Sequence, residues 1–281
     1  MLSLTDKIQS QPAPETELLK ICPLCGDNKA SFLFWNFDRY YHLPGKFGVV
    51  QCENCSLVRL SPRPKKENLS FYYPEDDYYS YQASNVSIHN ASRFAVIGGI
   101  RDKIRYSVLE HFDYSVPDLD WWQKFFQPVF TKIFKERATF GLGDKLPRFI
   151  RGGKALEVGC GSGNYLNTLK ELGWQVSGIE MSSTACQSAK QAYDIDVFCG
   201  EVKDAPFAEE SFDYVHLSHV IEHFVNPVDE LKIISRLLKP GGSIFIETPN
   251  AESFGRNRSG LYWFPWETPR HLFVFSPTTL T

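Results

Sequence analysis

The chain has almost no excess of charge. Thirty lysines and arginines stand against 33 aspartates and glutamates in 281 residues, a formal net charge of −3 with a pI near 6.2. Proteins that hold nucleic acid through its phosphates generally need a basic face, so general affinity for nucleic acid is not expected. No apolar run approaches the roughly 20 residues of a membrane-spanning helix. The first 17 residues lack the basic and then apolar pattern of a secretory signal. They are polar, contain Pro12 and Pro14, and read as a loose tail. A cytoplasmic address is therefore the expectation. What the chain does have is 43% hydrophobic residues, enough for a substantial core.

The seven cysteines fall into two classes. Cys22-Pro-Leu-Cys25 and Cys52-Glu-Asn-Cys55 form two C-x-x-C units, each like a zinc knuckle that aims two thiolates at one point. Together they suit a closed tetrahedral Cys₄ zinc site with a structural role. Two disulfides, four free thiols or a redox pair are the alternatives. Disulfides fit poorly without a secretory signal, and a redox pair leaves the second unit unexplained. Cys160, Cys186 and Cys199 read as packing residues.

Glu157-Val-Gly-Cys-Gly-Ser-Gly163 follows the apolar stretch Lys154-Ala-Leu156. The pattern predicts a strand, a glycine turn and a helix from about Asn164 to Leu172. Gly159, Gly161 and Gly163 allow positive φ angles and close approach of a ligand. The helix start offers free N–H groups to a carboxylate or phosphate. A dinucleotide turn needs glycine at its sixth position, where this chain has Asn164. The acid at Glu157 and the G-x-G-x-G spacing resemble motif I of the class I S-adenosylmethionine (SAM) methyltransferases.

Four further segments extend that resemblance in order: Trp174–Glu180, Cys199–Phe207 with Ser211–Ser218, Ser218–His223, and Leu237–Glu247. The resemblance implies an α/β, Rossmann-like sheet and SAM as cofactor. Glu157, Gly159, Cys160, Gly161 and Gly163 would form the turn around it. Glu180 would accept from the ribose hydroxyls, with Met181 beside it. Glu201 and Val202 would lie at the adenine, and Ser218 and His219 would border the cleft. Pro240, Gly241 and Gly242 read as a corner that ends a helix and turns into the fifth strand.

Between the knuckles, Phe32-Leu-Phe-Trp-Asn-Phe-Asp-Arg-Tyr-Tyr41 reads as short aromatic strands. The stretch Cys22–Tyr81 resembles the N-terminal zinc-binding module of a methyltransferase subgroup associated with sugar and surface-polysaccharide biosynthesis. That implies a sugar-type or glycan-precursor acceptor, carried on a nucleotide or a lipid. An alternative is RNA methylation, with Arg59, Arg63, Lys65, Lys66 and nearby tyrosines as a stacking surface. Glu67, Glu75, Asp76 and Asp77 blunt that field. A second alternative is a non-catalytic protein that binds SAM and zinc.

From Ser84 to Arg151 the spacing is helical, including Arg93–Arg101 and the aromatic run Trp121–Phe134 beside Lys124, Lys132 and Lys135. A peripheral membrane contact is one reading of this run. A cap helix or dimer contact, interrupted at Pro128 and with its aromatics in a core, is the favoured one. The candidate general bases are His223, in the Glu222-His223 pair, and His271, beside the aromatic insertion Tyr262–Trp266.

The expected organisation is a tail over 1–19, a zinc-ribbon module over 20–82, a helical cap over 83–150 and a SAM domain over 151–281. The class I fold normally has seven strands, whereas five candidates precede the end at Ser276-Pro-Thr-Thr-Leu-Thr281. The SAM domain is thus expected to be incomplete before strands six and seven. Sequence alone leaves the oligomeric state open.

Overall fold

Buried runs such as Ala155-Leu156 and Val215–Leu217 set the centre of the molecule, since strands covered on both faces read as continuous apolar stretches. In the computed structural model, which describes residues 12–74, 99–138 and 145–281, they form a five-stranded parallel sheet. Its strands are β6 (Lys154–Val158), β7 (Gln175–Glu180), β8 (Val197–Cys199), β9 (Phe212–Ser218) and β10 (Leu238–Glu247). The spatial order is β10-β9-β6-β7-β8. Three helices make the crossovers: α3 (Asn164–Glu171), α4 (Ser183–Tyr193) and α5 (Pro227–Leu237). The chain winds outward from β6 to β8 and then returns to β6's other side with β9. Such a reversal opens a crevice above the strands' C-terminal ends.

The five expected strands are all present. One local expectation is corrected. Lys239–Gly242 does not form a corner ahead of the fifth strand, because α5 already ends at Leu237 and β10 starts at Leu238. The register breaks between Leu238 and Ser243 instead. Gly241, at φ +81°, lets the strand bulge there without leaving the sheet.

The amino-terminal part forms a second sheet. β2 (Ala30–Asn36), β3 (Phe47–Cys52) and β4 (Val58–Leu60) are antiparallel neighbours. A small ladder, β1 (Thr16–Glu17) with β5 (Arg63–Pro64), lies beside them. The fourth strand of this sheet comes from the far end of the chain: β11 (Phe273–Val274) pairs antiparallel with β4. The residues after β10 thus add no strand to the parallel sheet among the described residues. Leu272–Phe275 is buried throughout, and its apolar side chains find their partners in the amino-terminal sheet.

One core therefore joins segments that the sequence places in separate units. Phe47, Leu57, Tyr72, Trp263, Trp266, Phe273 and Ile221 pack together. At its centre Arg270 is fully buried. Its guanidinium donates twice to Asp38 at 2.9 Å, once to Glu267 at 3.1 Å and once to the Tyr72 carbonyl at 3.1 Å. Two further links cross the same seam: Arg63 donates to the Val225 carbonyl and Asn36 Nδ2 to Thr268 Oγ1.

The helical segment supplies α1 (Ile100–His111) and α2 (Trp121–Ala138). Gln123 and Gln127 of α2 donate to the Lys103 and Ser107 carbonyls of α1, and Ser107 Oγ donates back to the Gln123 carbonyl. Two expectations fail here. Pro128 lies inside α2 without ending it, since the missing N–H is one donor among several turns held by these cross-links. The aromatics of α2 are not core: Trp121 is 79% and Phe125 72% exposed. Residues 1–11 of the tail expected over 1–19, the acidic aromatic run from 75 and the start of the segment expected to be helical over Arg93–Arg101 lie outside the described residues.

Candidate active site

The glycine turn sits at the open end of β6. Gly159, Gly161 and Gly163 have φ of +68°, +50° and +79°. A Cβ on Gly159 would come within 2.5 Å of Val220 Cγ2, so the turn has no room for a side chain there. α3 starts at Asn164 without a side-chain cap. Glu180, at the tip of β7, is drawn into this turn. Gly161 N–H donates to one of its carboxylate oxygens at 2.9 Å, and the N–H groups of Met181 and Ser182 donate to the other at 2.8 and 2.9 Å. The carboxylate thus lies between the turn and the second strand. Met181 projects outward beside it, largely exposed. Cys160 is buried within the turn, and burial pushes its thiol well above the ordinary range.

Behind the turn lies a buried acid–imidazole pair. Glu157 Oε1 is 3.2 Å from His216 Nδ1, while Glu157 Oε2 and His216 Nε2 have no hydrogen-bond partner among the described residues. Burial, reinforced by the charge of Glu180, raises the Glu157 carboxyl well above its usual range. Burial, followed by the Lys145 charge, pushes His216 down to about 4. Tyr165 stacks on the His216 ring at 3.9 Å. Lys145 reaches in from the segment ahead of β6 and pairs with Glu247 at 2.5 Å. Ser218 Oγ donates to the same Glu247 oxygen at 2.6 Å. Sequence reasoning missed Lys145, an isolated lysine outside every motif.

On the opposite flank Val202 is buried and Glu201 pairs with Lys66 at 2.8 Å and with Lys203 at 3.2 Å. The Lys66 hydrogen bond is the main influence holding the Glu201 carboxyl below its usual range. Lys66 belongs to the amino-terminal part, so that part reaches the place where the cofactor's adenine is expected.

The histidines gather past the end of β9. His219 takes a positive φ of +56°. Its Nδ1 lies 3.4 Å from Glu222 Oε1, and this contact raises its pKa. Glu222 is fully buried and also accepts from Thr248 Oγ1 at 3.0 Å. Burial acts to raise its carboxyl, yet His219 and the neighbouring imidazoles leave it below the usual range. His223 Nδ1 is 2.9 Å from Tyr73 Oη and 3.1 Å from the Arg270 carbonyl. A carbonyl can only accept, so the neutral ring carries its proton on Nδ1 and keeps the Nε2 lone pair. Burial, helped by His271, pushes His223 down to about 4. His271 packs edge-on against it with ring centroids 4.7 Å apart. His271 is itself buried, donates from Nδ1 to the Pro265 carbonyl at 2.7 Å and holds Nε2 3.5 Å from Glu267. Tyr73 is a site residue that the sequence did not single out, since it is one aromatic among many in its segment.

The four knuckle cysteines converge. Cys22 and Cys55 Sγ are 3.5 Å apart, as are Cys25 and Cys52 Sγ. The two turns share one geometry: Gly26 N–H donates to the Cys22 carbonyl, Ser56 N–H to the Cys52 carbonyl, and both donor residues have positive φ. Four thiolates at this spacing repel one another without a cation, and an all-thiolate tetrahedral set suits zinc. The donor set fits that metal.

The model of a family described as a methyltransferase domain matches residues 129–281. A ubiquinone biosynthesis O-methyltransferase of Brucella ovis is 31% identical over 202 residues, 64% of this chain and 80% of that protein. The protein of the same name from Parvibaculum lavamentivorans is 30% identical over 152 residues, which span 49% of this chain and 60% of that one. Among solved structures, a SAM-dependent methyltransferase of Archaeoglobus fulgidus shares 23% identity with a TM-score of 0.43 and covers 57% of this chain and 71% of its own. The glycine turn, the acid at the tip of β7 and the reversal of strand order lie inside the matched span, and the chain belongs to this family, the class I SAM-dependent methyltransferases.

Proposed function

We propose that this methyltransferase transfers a methyl group to a hydroxyl of a small, sugar-type or glycan-precursor acceptor, with His223 as general base. The observation that carries this reading is the Tyr73–His223 contact at 2.9 Å, where the amino-terminal part meets the end of β9. A half-buried neutral imidazole with its Nδ1 proton on a carbonyl keeps the Nε2 lone pair to take the acceptor's proton. Glu222 and His271 would hold the ring in place.

On this reading the turn from Glu157 through Gly159, Cys160, Gly161 and Gly163 would take the amino-acid end of SAM. Glu180 would accept from the ribose, Met181, Glu201 and Val202 would flank the adenine, and Ser218 and His219 would line the reacting end. Bound SAM supplies a methyl group on a sulfonium, which is electrophilic without further activation. The chain's own tasks are alignment, worth roughly 7–11 kcal/mol in ideal cases, and proton removal, worth on the order of 10²–10⁴-fold.

We further propose that Cys22, Cys25, Cys52 and Cys55 hold a structural zinc. Elemental analysis of the purified chain should then find about one zinc per chain, and Cys52→Ser should lower that ratio below half. An equal zinc content in the variant would remove the site.

A phenolic ring acceptor is the second reading, favoured by the likeness to a ubiquinone biosynthesis O-methyltransferase at 31% identity. Methyl-labelled SAM, offered with a panel of nucleotide sugars and a panel of ring-hydroxylated phenols, separates the two. Label in the sugars supports the first reading and label only in the phenols replaces it. SAM binding without transfer to either would return the chain to a binding role.

A further inference from the structure

The sequence places Trp121, Phe125, Val129 and Ile133 four residues apart along α2, a spacing that lines one face of a helix. The structure leaves this face uncovered, with exposures of 79%, 72%, 48% and 64%, and Phe126 on its rim is 43% exposed. Five large apolar side chains on one helix exceed the scattered exposure normal for a protein surface. The helix does not need this face for its own fold, because Gln123 and Gln127 on the other side already tie it to α1.

The charge of α2 is unlike that of the whole chain. Residues 121–138 hold four lysines and arginines against one glutamate, in a protein whose net charge is −3. Lys124 and Lys132 are exposed on α2 itself. Lys132 falls between the apolar side chains in the helical projection, where its long stem can lie along them and its ammonium can reach outward. No helix among the described residues is long and apolar enough to cross a membrane, so a lying rather than a spanning geometry is the one that fits. An aromatic face with lysines interleaved is the chemistry of a helix resting in the headgroup region of an anionic bilayer.

We propose that α2 docks the enzyme on an anionic lipid surface through Trp121, Phe125, Val129 and Ile133, with Lys124 and Lys132 pairing with lipid phosphates. The inference does not depend on the acceptor's identity. It gives the enzyme access to acceptors held at a membrane.

Flotation with vesicles tests it. Full-length protein should float with vesicles of equal phosphatidylglycerol and phosphatidylcholine and stay down with phosphatidylcholine alone. Lys124→Glu and Lys132→Glu should each weaken the partition roughly fivefold, and 0.5 M salt should do likewise. A Trp121→Ser, Phe125→Ser, Ile133→Ser variant should lose at least tenfold, with SAM binding and the melting temperature unchanged as proof of folding. Wild-type protein that ignores anionic vesicles, or a triple variant that floats as well as wild type, overturns the proposal. So does a sedimentation experiment in which wild type is a dimer that binds no vesicles and the triple variant is a monomer, because a second copy would then cover the face.

Discussion

Arg270→Met is expected to cost about 3–5 kcal/mol of unfolding stability, the range for removing one partner of a buried ion pair. Methionine has similar length, so little volume is lost. What is lost is the guanidinium that pairs with both Asp38 and Glu267, which are buried. The two carboxylates would then lose the guanidinium they share, and the Tyr72 carbonyl would lose its donor. Adding Asp38→Asn should restore part of the stability, since it removes one of the stranded charges. Urea unfolding of the two variants and wild type measures this. A loss below about 1 kcal/mol in the single variant, the range of exposed pairs, would show that the Arg270 cluster does not pin the two ends of the chain together.

His223→Ala should lower kcat by about 10²–10⁴-fold while SAM affinity stays within about twofold, because the proposed cofactor contacts lie on other residues. A variant that keeps more than a tenth of the wild-type rate would remove His223 as the base. The pH dependence offers an independent check. The imidazole of His223 sits near 4 in the folded protein, pushed down by burial and by His271. The base must be unprotonated to act, so this group should leave the rate flat from pH 8 to about pH 5 and lower it as pH falls through about 4. An unperturbed imidazole would already have cut the rate by half at about pH 6.5. A half-maximal rate near 6.5 would therefore mean that another histidine, or a solvated His223, carries the proton.

The parallel sheet was legible in the sequence because its signals are local. A buried strand, a glycine turn and an acid at the next strand's tip occupy Lys154–Glu180 without a break, and β6 and β7 appear where that pattern puts them. The Cys₄ cluster was legible for the same reason, since each C-x-x-C turn fixes its own geometry. The base cluster was only half legible. Glu222 and His223 are adjacent in sequence, but Tyr73 lies 150 residues away from His223, and no periodicity encodes that meeting. Lys145 and the Lys66–Glu201 pair escaped for the same reason. The face of α2 was misread because an apolar stripe at helical spacing has the same pattern whether a protein core or something else covers it. The corner at Lys239–Gly242 went astray on a smaller scale, because proline and two glycines signal a bulge as well as a turn.

The strand that completes the amino-terminal sheet has a consequence for biosynthesis. β4 emerges from the ribosome early, but its neighbour β11 is translated some 210 residues later. At 5–20 residues per second, the edge of β4 stays bare for on the order of ten seconds or more. During that interval the proposed zinc on the four cysteines would hold the two hairpin turns together, while the row of unsatisfied amides on β4 waits. A nascent chain of this protein is thus exposed to misassociation until β11 has been made, and a chaperone that shields strand edges should act on it over that interval.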